Sequence, residues 1–177
     1  MFPAATVILA WVFLRERLTR QRQAGLVLAL VSVGLVAGGV MDAWFGPVHD
    51  ATVGVLTAAG YRVTVPDTQT CCGALAAHDG HVDVTRELAR KNRDAFADVD
   101  LVVSDAAGCT AHLKEYDHWA GDGFQAKVRD ATELVAELIA EGRLPTVAGD
   151  RGAVAVQDPC HLRHAQRITA APRDILK

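Results

Sequence analysis

Apolar and polar positions divide the chain into two regimes. From Phe2 to Leu14 and again from Ala24 to Val40 the sequence carries no charged residue, and between these runs lies Arg15-Glu16-Arg17-Leu18-Thr19-Arg20-Gln21-Arg22-Gln23. This pattern predicts two apolar helices joined by a basic turn, a helical hairpin over 1–39. A bilayer span needs ~20 apolar residues, so both runs are short for one. A buried hairpin in a soluble protein is the alternative. A signal peptide is not expected, because the basic residues follow the first apolar run.

Past Val40 the pattern alternates between helical and strand periods. Asp42 to Ala59 is helical and stops at Gly60, and Tyr61-Arg62-Val63-Thr64-Val65 alternates like a strand before Pro66. Val82 to Ala97 predicts an amphipathic helix, Leu101-Val102-Val103-Ser104 a strand, and Ala107 to Trp119 a helix. Asp130 to Glu141 predicts a helix closed by Gly142, and Ala153-Val154-Ala155-Val156 a further strand. The fold class is therefore α/β, a parallel sheet with helices on its faces, preceded by the hairpin. Val33 to Ala37, apolar and short, also suits a buried parallel strand.

In such folds ligands gather at the carboxyl ends of the strands. The cysteines fall there: Cys71 and Cys72 after the strand ending at Val65, Cys109 after 101–104, Cys160 after 153–156. Four cysteines, two of them adjacent, do not make a disulfide framework, and a vicinal pair is better suited to a metal, cluster or redox site in a reducing compartment. The cytoplasm is the expected location, with the hairpin attaching the chain to the inner face of the cell membrane. The positive-inside rule opposes this, since a basic turn held in the cytoplasm would send the cysteines across.

Charge sharpens the division. Residues 1–40 carry four Arg and one Glu, whereas the remainder has 14 basic and 20 acidic residues. The acidic part has no basic stripe, which sets nucleic-acid binding aside. No Gly-rich dinucleotide fingerprint of the GxGxxG kind is present, so the flavin or nicotinamide chemistry of an oxidation is expected elsewhere.

Two resemblances follow from the motifs. Pro3-Ala4-Ala5-Thr6-Val7-Ile8-Leu9-Ala10, Glu16-Arg17-Leu18-Thr19 and Gln23-Ala24-Gly25-Leu26-Val27-Leu28-Ala29-Leu30 resemble the last helix pair of an EamA-type drug/metabolite transporter. Two helices cannot form a transport pathway, so that function is not inherited. From about Val40 onward, Cys71-Cys72-Gly73-Ala74-Leu75, Gly108-Cys109-Thr110-Ala111-His112 and Asp158-Pro159-Cys160-His161 resemble successive motifs of the CCG cysteine-rich family, which includes iron–sulfur subunits of glycolate oxidase and the heterodisulfide reductase B subunit. That resemblance implies a cluster of the 4Fe–4S type held by Cys71, Cys72, Cys109 and Cys160. It also implies a flavoprotein oxidase subunit as partner and a role passing electrons.

Departures from the family pattern limit the expectation. His112 stands where the CxxC motif has its second cysteine, which leaves imidazole as a possible ligand. The family's opening cysteine is expected near Gly39 and is missing. Residues 40–150 therefore read as one repeat without its first ligand, and 151–177 as the start of a second repeat, cut short. Zinc on Cys71 or Cys72, Cys109 and His112, with Cys160 as an optional further ligand, is the alternative cofactor, and a structural zinc module the alternative function; a membrane-transporter fragment with a passive tail is the third. A vicinal pair strains a tetrahedral zinc site, whereas a multi-iron cluster gives each sulfur its own iron.

Overall fold

The computed structural model describes residues 32–36, 40–121, 123–146 and 152–177. The expected hairpin lies outside these residues up to position 31, as does the expected missing cysteine position at Gly39. Strand β1 (Ser32–Leu35) is followed by α1 (Val40–Ala58), β2 (Arg62–Thr64), α2 (Ala74–His78), α3 (Val82–Ala95) and β3 (Leu101–Ser104). Then come α4 (Ala107–Leu113), α5 (Tyr116–Ala120), β4 (Val128–Asp130), α6 (Ala131–Ala140), a π-type turn (His161–Ala165) and α7 (Ala171–Asp174).

All pairings are parallel and the strand order is β2-β1-β3-β4. Because successive side chains of a strand point to opposite faces, the two central strands feed two separate cores. Val33, Leu35 and Val103 face Val55 and Leu56 of α1 and Leu134, Val135 and Leu138 of α6. On the other face Val36 and Val102 meet Ala89, Phe96, Leu113, Tyr116, Phe124 and Cys72. The sheet is thus buried between two helical layers, and the cysteine pair belongs to only one of them.

Local chemistry explains the element ends. Helix α1 closes in a Schellman motif: Gly60 sits at φ 90, with its N–H on Thr57 O and that of Tyr61 on Leu56 O. Helix α6 opens on Asp130, whose carboxylate accepts from Thr132 N at 2.9 Å, and buries Ala131, Leu134, Val135 and Leu138 at helical spacing. Helix α3 buries Thr85, Ala89 and Asn92. These are small or polar residues, so the helix lies close to the layer beneath.

Several expectations are corrected. The apolar run Ala24 to Val40 is not helical throughout: Ser32–Leu35 is a central strand, in the slot to which Val33 to Ala37 is also suited. A run buried on both faces has no periodicity to distinguish strand from helix. No strand forms at Ala153 to Val156, where Val154 is 53 % exposed and no pairing occurs among the described residues. The predicted helix 107–119 breaks into α4 and α5. Strand β4, which carries Arg129 at its centre, and the short α2 were not anticipated. Among the described residues no helix is long and apolar enough to cross a membrane.

Gly34 in β1 has a specific packing role. A Cβ there would lie 2.5 Å from Cδ1 of Phe96, a ring that is fully buried. Gly34→Ala is therefore expected to lower stability by about 1–3 kcal/mol, read as a shift of the urea midpoint with unchanged slope.

Candidate functional site

The strand order places the topological switch between β1 and β3: the chain leaves β1 toward β2 on one side and crosses to β3 on the other. The crevice at the carboxyl ends of these strands is where a ligand fits in such a sheet. Gln69 ties the loop after β2 to this edge by donating from Nε2 to Leu35 O at 3.4 Å.

The loop then delivers Cys71 and Cys72 toward Cys109, in the first turn of α4. Cys72 is buried, Cys71 and Cys109 are half-buried, and none of the four cysteines is in a disulfide. The three thiols interact in series. The Cys72 S–H donates to Cys109 and holds the latter below the ordinary thiol value, while Cys72 itself is pushed up to about 12, first by that bond. Cys71 is raised, first by its hydrogen bond with Cys72 and then by burial. Cys109 is the sulfur that ionises first.

Backbone donors converge on the same atoms. The Gly73 N–H is directed at Cys71 and the Ala74 N–H at Cys72, and each lowers its thiol's pKa. Gly73 takes φ 87 as the N-cap of α2, a left-handed conformation that costs an L side chain roughly 1–2 kcal/mol. The glycine of the CCG triplet thus turns the chain back over its own sulfurs.

His112 closes one side. It is 7 % exposed, its ring lies edge-on to Tyr116 at 5.6 Å and tilted to Trp119 at 5.9 Å, and Nε2 has no hydrogen-bond partner. That nitrogen would be 3.6 Å from a Cβ on Gly73, so it faces the cysteine loop. Burial, with the charge of His78 behind it, lowers its pKa to about 4. The imidazole is neutral at physiological pH with a lone pair to offer.

Cys160 is exposed at the head of the π-type turn. Its neighbour His161 reaches the rim: Nδ1 would be 3.8 Å from a Cβ on Gly108, and its ring lies 5.9 Å from that of His78. The turn is held down by Gln166, whose Nε2 donates to Ala107 O and to Asp130 Oδ2, both at 3.1 Å.

Three groups at this edge went unrecognised in the sequence. Asp105, just past β3, accepts at Oδ2 from Thr52 at 3.0 Å and pairs with His49 Nδ1 at 2.8 Å, all three side chains being buried. Its negative charge also opposes ionisation of Cys109. Asn92 and Tyr116, both fully buried, grip the cysteine loop from below. An acidic residue at a strand's carboxyl end was the available signal for Asp105; an Asn among the inward positions of an amphipathic helix was the signal for Asn92.

The donor set suits a soft metal group. Three thiols and an unpartnered imidazole nitrogen face one crevice, and backbone N–H groups stand ready for the sulfurs' charge. Among the described residues no group of three or more His, Cys, Asp or Glu side chains is placed to hold a single metal ion.

A parallel α/β sandwich that presents a vicinal cysteine pair and a third thiol at its switch point defines a cysteine-rich α/β domain. Residues 38–114 match the model of the CCG cysteine-rich domain family. The chain is 36 % identical over 156 residues to the probable glycolate oxidase iron-sulfur subunit of Bacillus subtilis, covering 82 % of this chain and 35 % of that protein. Identity is 33 % to the B subunit of the fumarate reductase (CoM/CoB) of Methanothermobacter marburgensis, covering 81 % and 28 %. It is 29 % to lactate utilization protein A of Geobacillus kaustophilus, covering 83 % and 64 %. The chain therefore spans only about a third of the length of the first of these relatives, and less than two thirds of any of the three. No solved structure matches it significantly.

Proposed function

We propose that the chain carries an iron–sulfur electron-transfer module of a complex that oxidises glycolate or another 2-hydroxy acid, or of a related heterodisulfide-reductase-like complex. The observation that carries this reading is the series Cys71, Cys72 and Cys109 at the switch-point crevice, with the Gly73 and Ala74 N–H groups directed at its sulfurs. Cys71, Cys72 and Cys109 would hold the cluster, with His112 or Cys160 as a further ligand. A bound cluster supplies one-electron transfer. The protein residues do the rest: they exclude water from Cys72, fix the sulfurs' spacing, and offer N–H donors to their negative charge.

The catalytic subunit is a partner, in this reading a flavoprotein, because the glycolate oxidase and fumarate reductase relatives are themselves subunits of larger enzymes. Residues 40–150, together with strand β1, form the first repeat, and 151–177 open a second. With Ser32–Leu35 built into the sheet, it is the apolar residues before β1 that would anchor the module at the inner membrane face; full solubility without detergent counts against that anchor.

The test is anaerobic purification or reconstitution of the full chain, with iron, acid-labile sulfide and zinc measured per chain. Iron and sulfide in comparable amounts are expected, and Gly39→Cys, which supplies the family's opening cysteine, is expected to raise both. If neither protein holds iron and sulfide, the reading fails. Stoichiometric zinc in their place would favour the structural module.

A further inference from the structure

Helices α3 and α5 contribute two polar side chains to the layer beneath the cysteine loop, both with no exposed surface. Asn92 Oδ1 accepts from Thr70 N at 2.8 Å, and its Nδ2 donates to Cys71 O at 3.1 Å and to Tyr116 Oη at 3.0 Å. Tyr116 Oη in turn donates to Cys72 O at 2.7 Å. The pair thus grips three consecutive residues of the loop. Burying an amide and a phenol fully is costly unless each polar group is matched, and here both donors of Nδ2 and the phenol O–H are used.

Peptide planarity gives this arrangement its consequence. In a trans peptide the C=O and N–H point in opposite directions. The C=O of Cys72 turned inward to Tyr116 therefore turns the Gly73 N–H outward, to the side of the loop opposite Tyr116. One hydrogen bond below the loop fixes the direction of a donor above it.

We infer that Asn92 and Tyr116 are positioning residues that orient the Cys72–Gly73 peptide, and through it set the N–H donation to Cys71 and the redox potential of the group the thiols hold. The inference rests on the cluster reading for its redox consequence, but the orientation of the loop exists without a cluster. A sulfur that accepts an N–H bond carries its negative charge more easily, so the reduced state of a bound cluster is favoured.

The experiment uses the full chain in both forms. In the metal-free protein, Tyr116→Phe keeps the ring and removes only the hydroxyl, leaving Cys72 O and one Asn92 N–H unmatched. The loop then opens more readily, and alkylation of buried Cys72 is expected to accelerate roughly ten-fold, the equivalent of one buried hydrogen bond. Asn92→Ser, which removes the donor shared by Cys71 O and Tyr116, gives the same change. Tyr61→Phe serves as control, since Tyr61 Oη accepts from Arg143 on the opposite layer, away from the cysteine loop. It leaves the rate unchanged. In the loaded protein Tyr116→Phe shifts the midpoint potential to a more negative value and Tyr61→Phe does not. An unchanged Cys72 rate, or an unchanged potential in loaded Tyr116→Phe, overturns the inference. If wild type takes up no iron, the cluster reading has failed, and the alkylation rates alone decide the clamp.

Discussion

Serine at position 72 or 109 is expected to reduce bound iron and acid-labile sulfide at least ~10-fold after anaerobic reconstitution, the scale on which site disruptions weaken metal binding. Cys72 stands at the middle of the thiol series and Cys109 is its most readily ionised member. Serine keeps the size of the side chain, but its hydroxyl stays protonated where a thiol would give up its proton. Because Cys72 also belongs to the buried layer with Leu113 and Tyr116, Cys72→Ala serves as an apolar second variant, with thermal unfolding followed in parallel. Cys160→Ser is expected to retain most of the iron, since Cys160 is exposed and outside the series. Equal iron in wild type, Cys72→Ser and Cys109→Ser would show that these sulfurs are not the ligands.

Removal of the Asp130 carboxylate is expected to cost about 3 kcal/mol of unfolding free energy. It caps α6, which accounts for roughly 1 kcal/mol, and it accepts one of the two N–H bonds of Gln166 Nε2, whose loss leaves that N–H without an acceptor and costs roughly 1–3 kcal/mol more. Asp130→Ala should therefore also free the segment around Cys160, read as faster amide exchange over the turn 161–165. The pH dependence separates charge from shape. Burial lifts the Asp130 carboxyl above its usual value, and the bonds from Gln166 and Thr132 offset this only in part. The folded state thus binds this proton more tightly than the unfolded state does. Its contribution is complete below the unfolded value of about 3.9 and is lost as pH rises through the folded value. Asp130→Asn cannot ionise, so its stability profile above about pH 4 should lack that decline. A steeper decline in Asp130→Asn than in wild type would contradict the assignment.

Helix α3 was legible because one face is buried and the other wet, and strand β3, buried on both faces, because its apolar run is short and bounded by Asp100 and Asp105. Strand β3 falls where Leu101 to Ser104 predicts it, and α3 matches its amphipathic pattern to within two residues. The cysteines were legible because their chemistry is rare, and the structure brings Cys71, Cys72 and Cys109 together. What escaped depends on contacts between elements distant in sequence. Strand β1 is hidden in an apolar run that a helix would share, and β4 is three residues with a charged centre. The Ala153 to Val156 alternation has the composition of a strand, yet a strand needs a neighbour, and none of the described residues supplies one. Asn92 and Tyr116 lie 24 residues apart on different helices, and His49 and Asp105 are 56 apart. No spacing rule connects either pair before the chain has folded.

The fit of Phe96 over Gly34 bears on the cysteines at a distance. Phe96 follows Asn92 by one helical turn and is joined to it by the bond from Phe96 N to Asn92 O. The missing methyl in the middle of β1 therefore sets how deep α3 sinks, and with it the height at which Asn92 meets the loop. A protein of this fold with a larger residue there would carry its cysteine loop on a raised floor, and would have to shorten some other side chain to keep the sulfurs in reach of one another.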